Sequence, residues 1–72
     1  MIKPSSILLK NKGFKITEET ENHLVAYNKD TTQIIYLENK GNCMICVKTD
    51  KDIRFKGHID NAQNLNFILA HI

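Results

Sequence analysis

The sequence predicts an α+β fold: a short N-terminal helix, an antiparallel β-meander of four to five strands, and a C-terminal helix packed on one sheet face. Three observations predict it. Helix start and stop residues mark both ends of the chain, Pro4 and Gly13 at one and Asp60 and Gln63 at the other. Between them the apolar residues fall in short runs rich in β-branched and aromatic side chains. Clusters of Asn, Asp, Lys, Thr and Gly separate those runs by only a few residues, which suits antiparallel neighbours.

Pro4 fits the first turn of a helix, where a missing N–H costs nothing, and Gly13 fits the left-handed position that ends one. A helix over about residues 4–12 follows, with Ile7 and Leu8 on its apolar side, Leu9 broadening the stripe, and Lys10 and Lys12 at the end where the helix dipole favours cations. Phe14 and Ile16 then alternate with Lys15 and Thr17 as a first strand. Residues 23–27 and 32–37 read as a hairpin around Asn28-Lys29-Asp30-Thr31, and residues 43–48 and 53–56 as two further strands. Gly57 is read as a breaker. Asp60, with Gln63 three residues on, gives an N-cap and capping-box partner for a closing helix whose Ala62, Leu65, Ile68, Leu69 and Ile72 form one apolar stripe.

With 72 residues there is material for one hydrophobic core and a single domain. A core of this size supplies only about 3–5 kcal/mol unless a partner surface, metal or disulfide adds to it, so self-association is expected to matter. The hydrophobic fraction of 42% and charged fraction of 25% are those of a folding domain and unlike a disordered tail. No apolar stretch approaches the roughly 20 residues of a membrane span, nor the apolar core of about 7–15 in a secretory signal, so no membrane association and a cytoplasmic location are expected. A net charge of +2 nominates no particular partner.

The Cys43-x-x-Cys46 pair invites a metal or redox reading. A structural zinc needs two further ligands at compatible spacing, which His23, His58 and His71 do not offer, and a redox pair needs a helix N-terminus where this pair lies in a strand. Residues three apart in a strand also point to opposite faces. The two thiols are expected to be free and part of the strand's packing, and no metal site and no small-molecule cofactor are expected.

His23 opens a strand just after Glu18, Glu19 and Glu21, which suits either a general base or an ordinary strand-edge histidine. Lys48, Lys51, Arg54 and Lys56 form one basic stretch, interrupted by Asp50 and Asp52, and Lys10, Lys12 and Lys15 form another. Brought together by the sheet they would hold phosphates; left apart they are a mixed-charge solvated face. Gly13, Gly41 and Gly57 are isolated and make no phosphate-cradling loop.

The stretch Leu8-Leu9-Lys10-Asn11-Lys12-Gly13-Phe14, with His23 nine residues after Phe14 and Tyr27 beyond, resembles the start of HicA-type toxins. These are small RNA-cleaving members of toxin–antitoxin pairs with a double-stranded-RNA-binding-domain-like fold of helix, three strands and helix. In that family an L-L-x-x-x-G-F helix end precedes a strand, and a Gly-Ser-His motif opens the next strand with the catalytic histidine. The resemblance covers about the first third of the chain and implies that His23 holds that position, although Glu21-Asn22 stands in place of Gly-Ser, no Pro-Val-His element follows near residues 34–37, and an extra hairpin at about 43–56 precedes the last helix.

Three functional expectations result. The leading one is a non-enzymatic interaction module that uses a strand edge or the outer sheet face to hold a protein partner or a copy of itself as a dimer. The second, an enzyme, is a HicA-like ribonuclease in which His23 activates a ribose 2′-hydroxyl and Lys10, Lys12 and Lys15 hold phosphates. The third is an RNA-binding domain without cleavage, with Lys48, Lys51, Arg54 and Lys56 as phosphate contacts.

Overall fold

A computed structural model describes residues 2–72. Helix α1 (Ile2–Asn11) is followed by strands β1 (Lys15–Glu19), β2 (His23–Asn28), β3 (Gln33–Lys40), β4 (Cys43–Thr49) and β5 (Ile53–Ile59), and by helix α2 (Ala62–His71). The strands pair only with their sequence neighbours, all antiparallel, in the order β1-β2-β3-β4-β5. Both helices lie on one face: α1 against β1, β2 and β3, α2 against β5, and the helices against each other. The predicted α+β architecture, with all five strands, is therefore what the chain adopts.

Gly13 ends α1 as expected. Its φ of +90° places it in the left-handed region, its N–H donates to the Lys10 carbonyl at 3.1 Å, and the Phe14 N–H donates to the Leu9 carbonyl at 2.9 Å. Those are the two bonds of a Schellman motif, and Leu9 and Phe14 bury together as its apolar contact.

The face that α1 presents to the sheet differs from the expected stripe. Ile2, Ser5, Ser6 and Leu9 are buried, whereas Ile7 is 52% exposed and Leu8 only packs at the margin. Small serines let the helix backbone approach the sheet closely. Ser6 Oγ donates to Glu19 Oε1 at 2.8 Å, so the helix is held by polar contact as well as by Leu9, whose complete burial contributes about 1.5–3 kcal/mol. A hydrophobicity pattern cannot register a face in which half the residues are serine.

The core beneath the helices is one side of the sheet: Leu24 and Ala26 on β2, Ile35 and Leu37 on β3, Met44 and Cys46 on β4, and Ile59 on β5. Gly57 does not end β5, contrary to its reading as a breaker. It pairs with Cys46 inside the sheet, and the Phe55 ring occupies the space above it, 3.2 Å from where a Cβ would stand. The missing side chain makes room for a neighbouring aromatic one.

The closing helix starts one residue later than expected. Asn61 is its N-cap, accepting from the Asn64 N–H at 3.1 Å, while the Asn64 side chain accepts from the Asn61 N–H at 3.3 Å and the Asp60 N–H at 2.9 Å. Two asparagines thus form the capping box that Asp60 and Gln63 were expected to form. Leu65 and Ile68 bury, Leu69 packs at the margin, and Ile72 at the end is 45% exposed.

Candidate functional site: the open sheet face

In an antiparallel sheet with one face covered, the other face ordinarily carries polar side chains in alternation with the apolar inner set. Here the three central strands break that rule. Val25 and Tyr27 on β2, Ile34 and Tyr36 on β3, and Ile45 and Val47 on β4 all point away from the helices, and none is fully buried. Ile34 remains 42% exposed and Tyr27 36%. No helix packs on this side among the described residues. The edges, by contrast, are charged: Lys15 and Glu18 on β1, Lys56 on β5.

The registers align these residues into rows. One row crosses the sheet as Glu18, Val25, Tyr36, Val47, Lys56, an acid at one edge, a base at the other and apolar side chains between. The next, towards the β1–β2 turn, is His23, Glu38, Ile45, His58. An apolar centre with a charged rim is the anatomy of a protein contact surface, and monomeric domains rarely leave such a centre open. The sequence carries this signal in its apolar runs: residues 24–27, 34–37 and 43–47 are unbroken, not alternating, which is how strands covered on both faces read.

His23 stands on this open face at its acidic corner. Its Nε2 is 2.6 Å from Glu18 Oε1 and its Nδ1 is 3.2 Å from Thr20 Oγ1. The Thr20 oxygen also accepts from the Asn22 and His23 N–H groups, both at 3.1 Å. In the neutral ring this network is satisfied by Nε2–H donating to the carboxylate while Nδ1 accepts from the threonine hydroxyl. Both ring nitrogens are thereby engaged within the β1–β2 turn. Beside them the Tyr36 hydroxyl donates to Glu38 Oε1 at 2.8 Å, and Lys40 Nζ lies 3.2 Å from Glu38 Oε2. The phenol's hydrogen bond and Lys40 hold the Glu38 carboxyl below its ordinary range, and the same bond to Glu38 holds the Tyr36 phenol above its own.

The basic residues are not brought together. Lys10, Lys12 and Lys15 are exposed around the α1–β1 connection at one edge, and Lys51, Arg54 and Lys56 belong to the β4–β5 end at the other. Four strand spacings, about 19 Å, separate the two edges. Lys48 leaves the group altogether: it is 2% exposed on the helix-covered side of β4, between Ile35 on β3 and Phe55 on β5, and so cannot reach a phosphate there. Arg54 is already committed, its Nε lying 3.0 Å from both oxygens of Asp50.

Cys43 and Cys46 fall on opposite faces, as three-residue spacing in a strand requires. Cys43 is half-buried on the open face, and Cys46 is buried in the core, where desolvation pushes its thiol up to about 11. No group of three or more metal-binding side chains is gathered among the described residues, and no helix among them is long and apolar enough to cross a membrane. The clefts on the surface, such as that between Ile2, Lys3 and Glu19–Glu21, are shallow and open.

No protein-family model, curated protein or solved structure matches the chain significantly. The geometry of the open face therefore carries the functional argument.

Proposed function

We propose that this chain is a protein-interaction module whose contact surface is the open face of the sheet. The observation that supports this reading is the row Val25, Tyr36, Val47, apolar, partly exposed and rimmed by charge on a face that no helix covers among the described residues. The edges are poorer templates for an added strand: β1 carries a bulge between Ile16 and Glu18, and β5 carries Arg54 and Lys56, both standard defences of an edge. A photo-crosslinking phenylalanine analogue installed at Val47, with one at the exposed helix residue Ile7 as control, tests the reading in cells. Protein adducts at Val47 and none at Ile7 are expected; nucleic-acid adducts at Val47, or none of any kind, would overturn it.

One observation favours a second reading, the HicA-like ribonuclease. The imidazole of His23 lies on the open face beside a carboxylate 2.6 Å away, the arrangement that orients a general base. In this reading the Thr20 contact opens when substrate arrives and frees Nδ1 to take the 2′-hydroxyl proton. Against it stand the engaged ring nitrogens and the position of Lys15, which pairs with Tyr27 at the end of β1 away from His23. Incubation with mixed cellular RNA separates the readings: cleavage by the native chain that is lost in His23→Ala would establish the ribonuclease.

A further inference from the structure

We infer that the partner seated on the open face is a second copy of this chain, packed face to face about a two-fold axis parallel to the strands. The inference rests on the interaction-module reading and adds the identity of the partner.

Two copies can stack their open faces about an axis parallel to the strands or about one perpendicular to them, both lying in the interface plane. The perpendicular axis sets β1 over β1 and β5 over β5, which brings Glu18 towards Glu18 and Lys56 towards Lys56 of the second copy. The parallel axis sets β1 over β5. The row through the sheet centre is then self-complementary: Glu18 of one copy meets Lys56 of the other, Val25 meets Val47, and Tyr36 on the axis meets Tyr36, with the acid–base contact made twice. An isologous interface needs this property, since each residue must suit the partner of its own symmetry mate.

Aligned sheets stack about 10 Å apart with strands rotated by about 30°. At an edge strand roughly 10 Å from the axis that rotation displaces the facing residues by about 5 Å, an offset the long Glu and Lys side chains bridge. The size also fits. Five strands about 4.8 Å apart and six residues long at about 3.3 Å present roughly 500 Å² in projection, so two copies bury on the order of 1,000 Å², the lower bound for a specific interface. Covering the second face also supplies the burial that a core of this size lacks.

The test is the mass of the purified chain in solution, by sedimentation or light scattering over a wide concentration range, with thermal melts confirming that each variant is folded. The native 8.3 kDa chain is expected to reach twice that mass. Lys56→Glu, which sets carboxylate against carboxylate at both edges, is expected to weaken the dimer at least about tenfold, and Val47→Glu to abolish it. The charge swap Glu18→Lys with Lys56→Glu is expected to recover dimerisation relative to either single change. A chain that stays monomeric up to its solubility limit would overturn the inference, as would a dimer indifferent to both Val47→Glu and the charge reversals. A native monomer that still yields adducts to another protein at Val47 in cells removes self-association and leaves the interaction module standing, whereas the absence of both removes the two together.

Discussion

Thr20 and His23 are bonded to each other three times: the Thr20 N–H donates to the His23 carbonyl at 2.8 Å, the His23 N–H donates to Thr20 Oγ1 at 3.1 Å, and the same oxygen meets the imidazole Nδ1 at 3.2 Å. A single hydroxyl thus closes the β1–β2 turn and sets the orientation of the one histidine on the acidic corner of the open face. Thr20→Ala is expected to lower stability by about 1 kcal/mol, hence Tm by about 4–8 °C, while Thr20→Ser retains both. An unchanged melt for Thr20→Ala would show that the turn holds without its hydroxyl.

The two cysteines are expected to differ sharply towards a thiol reagent at mildly alkaline pH. Cys43 is half-buried on the open face and reacts in the folded chain; Cys46, fully covered and with its thiol pushed up to about 11 by burial, reacts only as fast as the chain unfolds. Because burial raises the folded value above the ordinary one of about 9, the neutral thiol's share of stability is complete below that pH and is lost as pH rises from about 9 to about 11. Equal labelling rates for the two thiols would contradict this placement.

The β2–β3 turn holds one residue against its preference. Thr32 has φ of +56°, a left-handed conformation that a β-branched side chain resists. Thr32→Gly is expected to stabilise the chain by about 0.5–1 kcal/mol in a denaturant titration. Asn28→Ala is expected to do the opposite by about 1–3 kcal/mol, since the buried Asn28 carboxamide accepts from the Asp30 and Thr31 N–H groups and donates to the Lys12 carbonyl. Destabilisation by Thr32→Gly would show that the threonine side chain contributes more than its left-handed backbone costs.

Acid is expected to weaken the β4–β5 turn. The Arg54 guanidinium, followed by the Asp52 and Lys51 N–H groups, holds the Asp50 carboxyl below its ordinary value. A carboxylate held low contributes stability above its unfolded pKa and loses it as pH falls through the folded one, so the loss lies below about pH 4. Arg54→Gln is expected to move the Asp50 titration, followed by carboxyl NMR, upwards. No movement would show that the backbone donors alone set it.

How far the sequence could be read depends on which signals are local. The strands, the Gly13 stop and the opposite orientation of Cys43 and Cys46 follow from spacing along one segment, and the structure repeats them. What segment-by-segment reading missed depends on neighbours distant in sequence. Ser5 and Ser6 bury because of β1 and β4; Gly57 sits inside a strand because the Phe55 ring fills its place; Lys48 lies under the helices because the β3–β4 register turns it inward. The candidate site was half legible. His23 and Glu18 lie close together in the sequence, but the row from Glu18 to Lys56 exists only once four registers are fixed.

The nearest-neighbour order of the five strands also governs how the chain assembles. Each strand pairing closes a loop of only two to four residues, so the sheet can zip from any hairpin at small entropic cost, whereas α1 and α2 meet only by bringing the two ends of the chain together. We expect a transient species in which a formed sheet is bare on both sides, and refolding yield that falls as protein concentration rises. A yield independent of concentration would place helix docking before sheet closure.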